Sequence, residues 1–131
     1  MNRPLFLLLV ILTFHLAAAR YGIHITSRVP NKPSPLRVRC QSKDDDFGMH
    51  TLYEGQEFKW YFNRGLTTLY FCHFYWGSKD KVFDVFNVTT TDDGYCNRTY
   101  GDAIECLWEA RPDGFYVNNW ERPWNKVNDW S

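Results

Sequence analysis

Alternation with a period of two is the feature that most restricts this chain. In Leu36-Arg37-Val38-Arg39-Cys40 the apolar side chains fall on one side and the arginines on the other, the pattern of a strand with one buried face. Phe58-Lys59-Trp60-Tyr61-Phe62 repeats it with Phe58, Trp60 and Phe62 inward, and Ile104-Glu105-Cys106-Leu107-Trp108 repeats it again. Residues 69–76 are apolar or aromatic on both faces apart from Cys72 and His73, as expected of a central strand covered on both sides. Residues 22–26, 81–88 and 115–117 read as further strands, and 49–53 as a weaker one. Turn signals separate them: Pro30, Pro33 and Pro35, then Glu54-Gly55, Asn63-Arg64-Gly65 as a hairpin turn, Gly77-Ser78-Lys79-Asp80, and Pro112-Asp113-Gly114. No segment keeps a helical period. The expected class is all-β, an antiparallel β-sandwich or barrel of about seven to eight strands. Its buried set should be Val38, Phe58, Trp60, Phe71, Phe74, Trp76, Val85, Ile104 and Trp108.

The N-terminus points to export. Arg3, an apolar run from Leu5 to Leu16 broken only by Thr13 and His15, and Ala17-Ala18-Ala19 follow the order of a secretory signal peptide. The run is shorter than the roughly 20 apolar residues of a membrane span. Cleavage after Ala19 would leave 112 of the 131 residues, with 14 basic against 15 acidic side chains once Arg3 is gone. The expected organisation is a signal peptide at 1–19, a secreted domain at 20–119 and a Trp-rich tail at 120–131 carrying Trp120, Trp124 and Trp130. Near-neutral charge lacks the footprint of a nucleic-acid partner, and no later stretch suits membrane insertion. A monomer is the expected state.

Cys40, Cys72, Cys96 and Cys106 all follow the leader, and an even count in an exported chain reads as two disulfides. Three pairings are open, and Cys40–Cys106 with Cys72–Cys96 is the one favoured. No C-x-x-C or paired histidines point to zinc. Asn87-Val88-Thr89 and Asn97-Arg98-Thr99 are sequons, making Asn87 and Asn97 candidate N-glycan sites.

A catalytic constellation is not expected. His24, His50 and His73 could act as acid and base, but strand positions favour structural roles for His24 and His73. Ser78 lacks a G-x-S-x-G setting, and no H-E-x-x-H occurs. Asp44-Asp45-Asp46 is acidic enough to attract a hard cation, yet the later ligand positions of a calcium loop are absent. It reads as a solvated turn with Asp44 capping its own backbone. No cofactor or metal is expected.

Five blocks in order resemble one family, the plant self-incompatibility proteins or S-protein homologues. Ser42-Lys43-Asp44-Asp45-Asp46-Phe47-Gly48-Met49-His50-Thr51-Leu52 is similar to its S-K-D-D-D-L-G-x-H-x-L block. Phe58–Phe62 follows F-x-W-x-F, residues 71–76 follow F-C-x-F-x-W, and Phe83-Asp84-Val85 follows F-D-V. Cys106-Leu107-Trp108 with Asp113-Gly114-Phe115-Tyr116 follows C-x-W and D-G-F-Y. The Trp-rich tail is not counted in the resemblance. The resemblance implies a small secreted β-sandwich with two disulfides, and a founding role as a pistil ligand whose recognition by a pollen receptor rejects self pollen.

The expected function is therefore an extracellular ligand for a cell-surface protein receptor, not an enzyme. Rigid scaffolds concentrate binding residues on loops, so loops 63–65, 77–80 and 97–102 are the candidates, with Arg64, Lys79, Asp80 and Arg98 as charged tips. Two other readings are weighed: a glycan-binding module stacking sugars on Tyr61, Trp120 and Trp124, and a secreted hydrolase or nuclease.

Overall fold

The structure, a computed structural model, describes residues 20–88, 96, 98–100, 103–118 and 123–131, with the backbone alone at 98–100. The expected leader at 1–19, the sequon asparagine Asn97 and Trp120 lie outside the described residues.

Strands β1 (Arg20–Ser27), β4 (Glu57–Asn63), β7 (Arg98–Tyr100), β8 (Ala103–Arg111), β9 (Gly114–Asn118) and β10 (Asn125–Asn128) form one sheet, in the order β10-β9-β8-β1-β4 with β7 also on β8. Strands β2 (Leu36–Gln41), β3 (Asp46–Leu52), β5 (Leu69–Trp76) and β6 (Lys79–Asn87) form the other, in the order β3-β2-β5-β6. Every pairing is antiparallel except β1 with β8, which is parallel in unbroken register from Arg20↔Ala103 to Ser27↔Ala110.

Alternation places the core between the sheets. Tyr21, Ile23 and Ile25 of β1, Trp60 of β4, Trp108 and Ala110 of β8 and Val117 of β9 face Leu36 and Val38 of β2 and Tyr70, Cys72 and Phe74 of β5. Of the expected buried set, Val38, Trp60, Phe74, Val85 and Trp108 are buried, and Phe58, Trp76 and Ile104 are partly buried against them. Phe71 is a correction: it is half-buried and outside the core cluster. Phe74 and Phe71 are three apart on one strand, so the pleat sends them to opposite faces. A bulge between Tyr70 and Phe71 on the β5–β6 ladder lets consecutive Val85 and Phe86 both turn inward.

A second bulge shapes β3. Between Arg39 and Gln41 the β2–β3 register shifts at Phe47-Gly48, and Gly48 takes a φ of 75°, which costs a residue without Cβ little. Phe47 thereby packs on Trp60, with ring centroids 5.1 Å apart, and on Tyr70 at 6.1 Å.

The favoured cysteine pairing is corrected. The bonds are Cys40–Cys72 and Cys96–Cys106. Cys40 and Cys72 are register partners on adjacent strands, whereas Cys106 lies in the opposite sheet. Packed sheets stand about 10 Å apart, beyond the roughly 7 Å limit for Cα atoms joined by a disulfide. Asn63-Arg64-Gly65 is likewise not a hairpin turn: β4 and β5 belong to different sheets, and the segment carries the chain across the end of the sandwich. The stretch set apart as a tail packs into the domain. β10 pairs with β9, and Trp130 is buried.

Candidate functional site

The register sorts the loops into two ends. Arg20↔Asn63, Gln41↔Phe71 and Leu69↔Asn87 gather loops 42–45 and 64–68 and the end of β6 at one end. Loops 28–35, 53–56, 77–78 and 112–113 lie at the other, about 25 Å away along β5. The expected contact residues are split by this arrangement. Arg64 lies at the first end, while Lys79 and Asp80 follow the Gly77-Ser78 turn at the second. Arg98, in β7, stands opposite Glu105 at the first end; its side chain lies outside the described residues, as do residues 97, 101 and 102. The candidates therefore do not form one surface.

The first end holds a groove of about 520 Å³ between loop 42–45 and residues 67–71. The loop is closed by Ser42, whose N–H donates to the Asp45 carbonyl at 2.8 Å and whose hydroxyl accepts the Asp45 N–H at 3.1 Å. Ser42, not Asp44, thus caps the turn. Thr68 shapes the facing loop, its hydroxyl accepting the Gly65 N–H at 2.7 Å and its carbonyl the Val88 N–H at 3.2 Å. Leu66 stands at the tip of that loop, 94% exposed.

The three aspartates do different things. Asp46 pairs with Arg39 and accepts the Gly48 N–H at 3.0 Å. The Arg39 hydrogen bond first, and the Gly48 N–H second, lower its carboxyl from 3.8 to about 2. A carboxyl depressed on folding adds stability above its unfolded value, and that stability is lost as pH falls through the folded value. The Asp46 contribution should therefore fade between 3.8 and about 2. Carboxyl-carbon NMR should find an Asp46 midpoint of about 2, rising toward 3.8 in Arg39→Ala. An Asp46 midpoint that Arg39→Ala leaves in place would refute this cause.

Asp44 and Asp45 are exposed at the groove lip, and among the described residues their carboxylates make no ion pair or hydrogen bond, nor does the ammonium of Lys43. Tyr70 lies at the groove floor and is only 6% exposed. Burial first, then the charge of Asp45 and more weakly that of Asp44, push its phenol above the ordinary value, against an opposing effect of Trp60. That opposing effect is a side-chain interaction between the Tyr70 hydroxyl and the buried Trp60 indole. Sequence reasoning treated these aspartates as a solvated turn and did not single out Tyr70 or Leu66. The only sequence signal was the acidic run itself.

Apart from Trp120, which lies outside the described residues, the residues of the two other readings are engaged within the fold. Arg20 lies over the Tyr61 ring at 4.3 Å, and the Tyr61 hydroxyl donates to Glu105 at 3.1 Å. Gly22 permits this: a Cβ there would fall 2.3 Å from Glu105 Oε2 and 2.4 Å from Tyr61 Cε1. Burial first, then the Glu105 hydrogen bond, raise the Tyr61 phenol. Arg111 covers Trp124 at 5.4 Å. The histidines sit on three different faces. His24 bridges Glu105 at 2.5 Å and Glu57 at 3.1 Å on the outer face of the larger sheet. His50 stacks on Phe58 at 4.1 Å between the sheets, and His73 pairs with Asp80 at 2.7 Å on the outer face of the smaller sheet. Asn87 ends β6, with its amide donating to Asp84 at 3.3 Å.

Comparison with known proteins agrees with the architecture. Residues 22–130 match the family described as plant self-incompatibility protein S1, so the match includes the Trp-rich tail. S-protein homolog 29 of Arabidopsis thaliana is 30% identical over 140 residues, covering 99% of this chain and 98% of that protein. S-protein homolog 5 of Arabidopsis thaliana is 39% identical over 82 residues, covering 61% of this chain but only 58% of that protein. A solved structure of the SPH (self-incompatibility protein homologue) proteins superposes with a TM-score of 0.64 at 18% identity, covering 88% of this chain and 97% of that one. Those proteins are described as a widespread family of small, highly stable, secreted proteins from plants.

Proposed function

Since this chain belongs to the plant self-incompatibility protein S1 family, we propose that it is a secreted recognition ligand for a cell-surface protein receptor. Its role is cell–cell recognition, of which rejection of self pollen is the family's namesake, and no enzymatic step is involved. Export rests on the leader-like residues 1–19, and among the described residues no helix is long and apolar enough to cross a membrane. Passage through the export route also makes Asn87 and Asn97 proposed glycan sites.

The observation that carries the reading is the first end of the sandwich. A fully exposed leucine and a groove with unpaired carboxylates stand together on loops held by a buried, disulfide-stapled scaffold. Exposed apolar tips beside polar rims are the composition of protein contact surfaces.

The test is saturable binding of the oxidised protein, residues 20–131, to plant plasma-membrane vesicles, abolished when the vesicles are first treated with protease. Leu66→Asp with Arg64→Glu should weaken binding about tenfold or more, as for a contact hot spot. Lys79→Glu at the opposite end should change it less than about twofold, as for a charge outside the contact. Equal effects at both ends, or binding that survives protease treatment, would refute a protein receptor met by this end.

A further inference from the structure

Among the described residues, β4 and β10 end the larger sheet, and β3 and β6 end the smaller one. An open edge invites a further strand unless something blocks it. β3 is blocked by its bulge at Phe47-Gly48. β10 runs only from Asn125 to Asn128, and its register shifts between Lys126 and Asn128. β6 is bulged, and its half-buried Lys81 stands opposite Phe74, so an edge lysine is turned toward the core face. β4 has none of these features. Its seven residues pair with β1 in unbroken register and include no proline. Phe58, Trp60 and Phe62 form its inner face, and Phe58 and Phe62 stay half-buried with no strand beyond them.

The ladder to β1 leaves part of the β4 backbone unused. The Ser27 N–H donates to the Gln56 carbonyl at 3.0 Å, one step beyond the pair Thr26↔Glu57. Bonded and non-bonded pairs alternate along an antiparallel ladder. Phe58, Trp60 and Phe62 therefore bond to β1, while Glu57, Lys59, Tyr61 and Asn63 aim their N–H and carbonyl groups away from it. No turn or loop of the described residues bonds to these outward groups.

We infer that β4 pairs antiparallel with β4 of a second copy of this chain, about a two-fold axis at Trp60. In that register the whole of Glu57–Asn63 is paired. Glu57 opposes Asn63, Phe58 opposes Phe62, and Lys59 opposes Tyr61 of the second copy. The inner row then meets aromatic to aromatic, and the outer row sets no like charges against each other, both favourable across strands. The outward backbone groups face their counterparts, as ladder bonds require. An axis at Lys59 would oppose two lysines, and an axis at Phe58 or Tyr61 would leave one end of the strand unpaired. The contact uses the same surface of both copies, so it closes at two. This departs from the monomer expected from sequence, where alternation does not tell which strand is left at an edge.

Sedimentation equilibrium of the oxidised protein, residues 20–131, across a dilution series is the first test. The apparent mass should rise about twofold with concentration and no further, as for a closed pair. A single-chain mass up to about 1 mM overturns the inference and leaves the edge to a strand of other sequence. Lys59→Pro removes one outward N–H from an exposed position whose backbone does not bond β1, a change that edge strands tolerate. The variant should keep the parent's urea midpoint and stay at single-chain mass. Doubling that persists in folded Lys59→Pro overturns the inference. Amide hydrogen exchange of the parent needs no variant. Exchange at Lys59 and Tyr61 should be slow in concentrated solution and fast on dilution, while Phe58, Trp60 and Phe62 stay slow in both. Exchange at Lys59 and Tyr61 that ignores concentration places any association on another face and overturns the inference.

Discussion

Trp130→Ala is expected to lower stability by about 3–5 kcal/mol, the loss for a buried large aromatic, although Trp130 is the last residue but one. The tail turns back along β9 as β10 and drops Trp130 into the second end of the sandwich, where it is 6% exposed. Its ring lies 4.6 Å from Phe115 and 6.0 Å from Trp76, centroid to centroid. Its indole N–H donates to the Arg111 carbonyl at 2.8 Å, satisfying a group where β8 ends. Truncation to alanine therefore opens a cavity between the sheets and unpairs that carbonyl. Trp124→Ala is the internal control. Trp124 is half-buried and met by Arg111 at 5.4 Å, a contact of about 1 kcal/mol or less. Urea unfolding of both variants checks the claim, with a lower midpoint at unchanged slope for Trp130→Ala. A loss no greater than that of Trp124→Ala would mean that the tail merely rests on the domain.

Trp130 also shows where sequence reasoning reaches its limit. Pattern alone finds strands that carry alternation, so Val38, Trp60, Phe74 and Trp108 were legible as core residues. It does not find β10 or β7, because Asn125–Asn128 and Arg98–Tyr100 are short and become strands by pairing with β9 and β8. It does not reveal the parallel β1–β8 pairing either, since nothing in residues 20–27 refers to residues 103–110. Asn63-Arg64-Gly65 reads as a hairpin turn in the sequence, yet Asn63 ends β4, the turn falls at residues 66–67, and local chemistry carries no information on which sheet the next strand joins.

The groove has the same origin. Loop 42–45 and residues 67–71 are separated along the chain and meet because Gln41 stands opposite Phe71 on adjacent strands. What was legible was an acidic run. That two of its three carboxylates would remain unpaired beside a buried tyrosine depended on Arg39 taking the third, and on β5 arriving alongside β2.

Breaking the Cys40–Cys72 bond should be the second large effect, and larger than breaking Cys96–Cys106. The first closes a loop of sequence separation 32, the second one of 10. Chain entropy then assigns about 4 kcal/mol to the first bond and about 3 kcal/mol to the second. Cys40 and Cys72 are fully buried, so Cys40→Ala/Cys72→Ala adds a small cavity to the entropic loss, in the same direction. The Cys40–Cys72 bond lies within one sheet, and the Cys96–Cys106 bond ties β8 to Cys96, which belongs to no strand, so neither bond links the two sheets, and these are held together by their interleaved side chains. The Cys40–Cys72 pair joins the β2–β3 and β5–β6 hairpins one residue from Gln41↔Phe71, where the groove begins. Losing it should therefore loosen the candidate site as well as the fold. Urea unfolding of Cys40→Ala/Cys72→Ala and Cys96→Ala/Cys106→Ala should rank them in that order. Vesicle binding below the unfolding transition should fall for the first variant and hold for the second. The reverse order of stability would show that loop length does not set the contribution of these bonds. Intact vesicle binding without Cys40–Cys72 would show that the recognition end does not depend on the staple beside it.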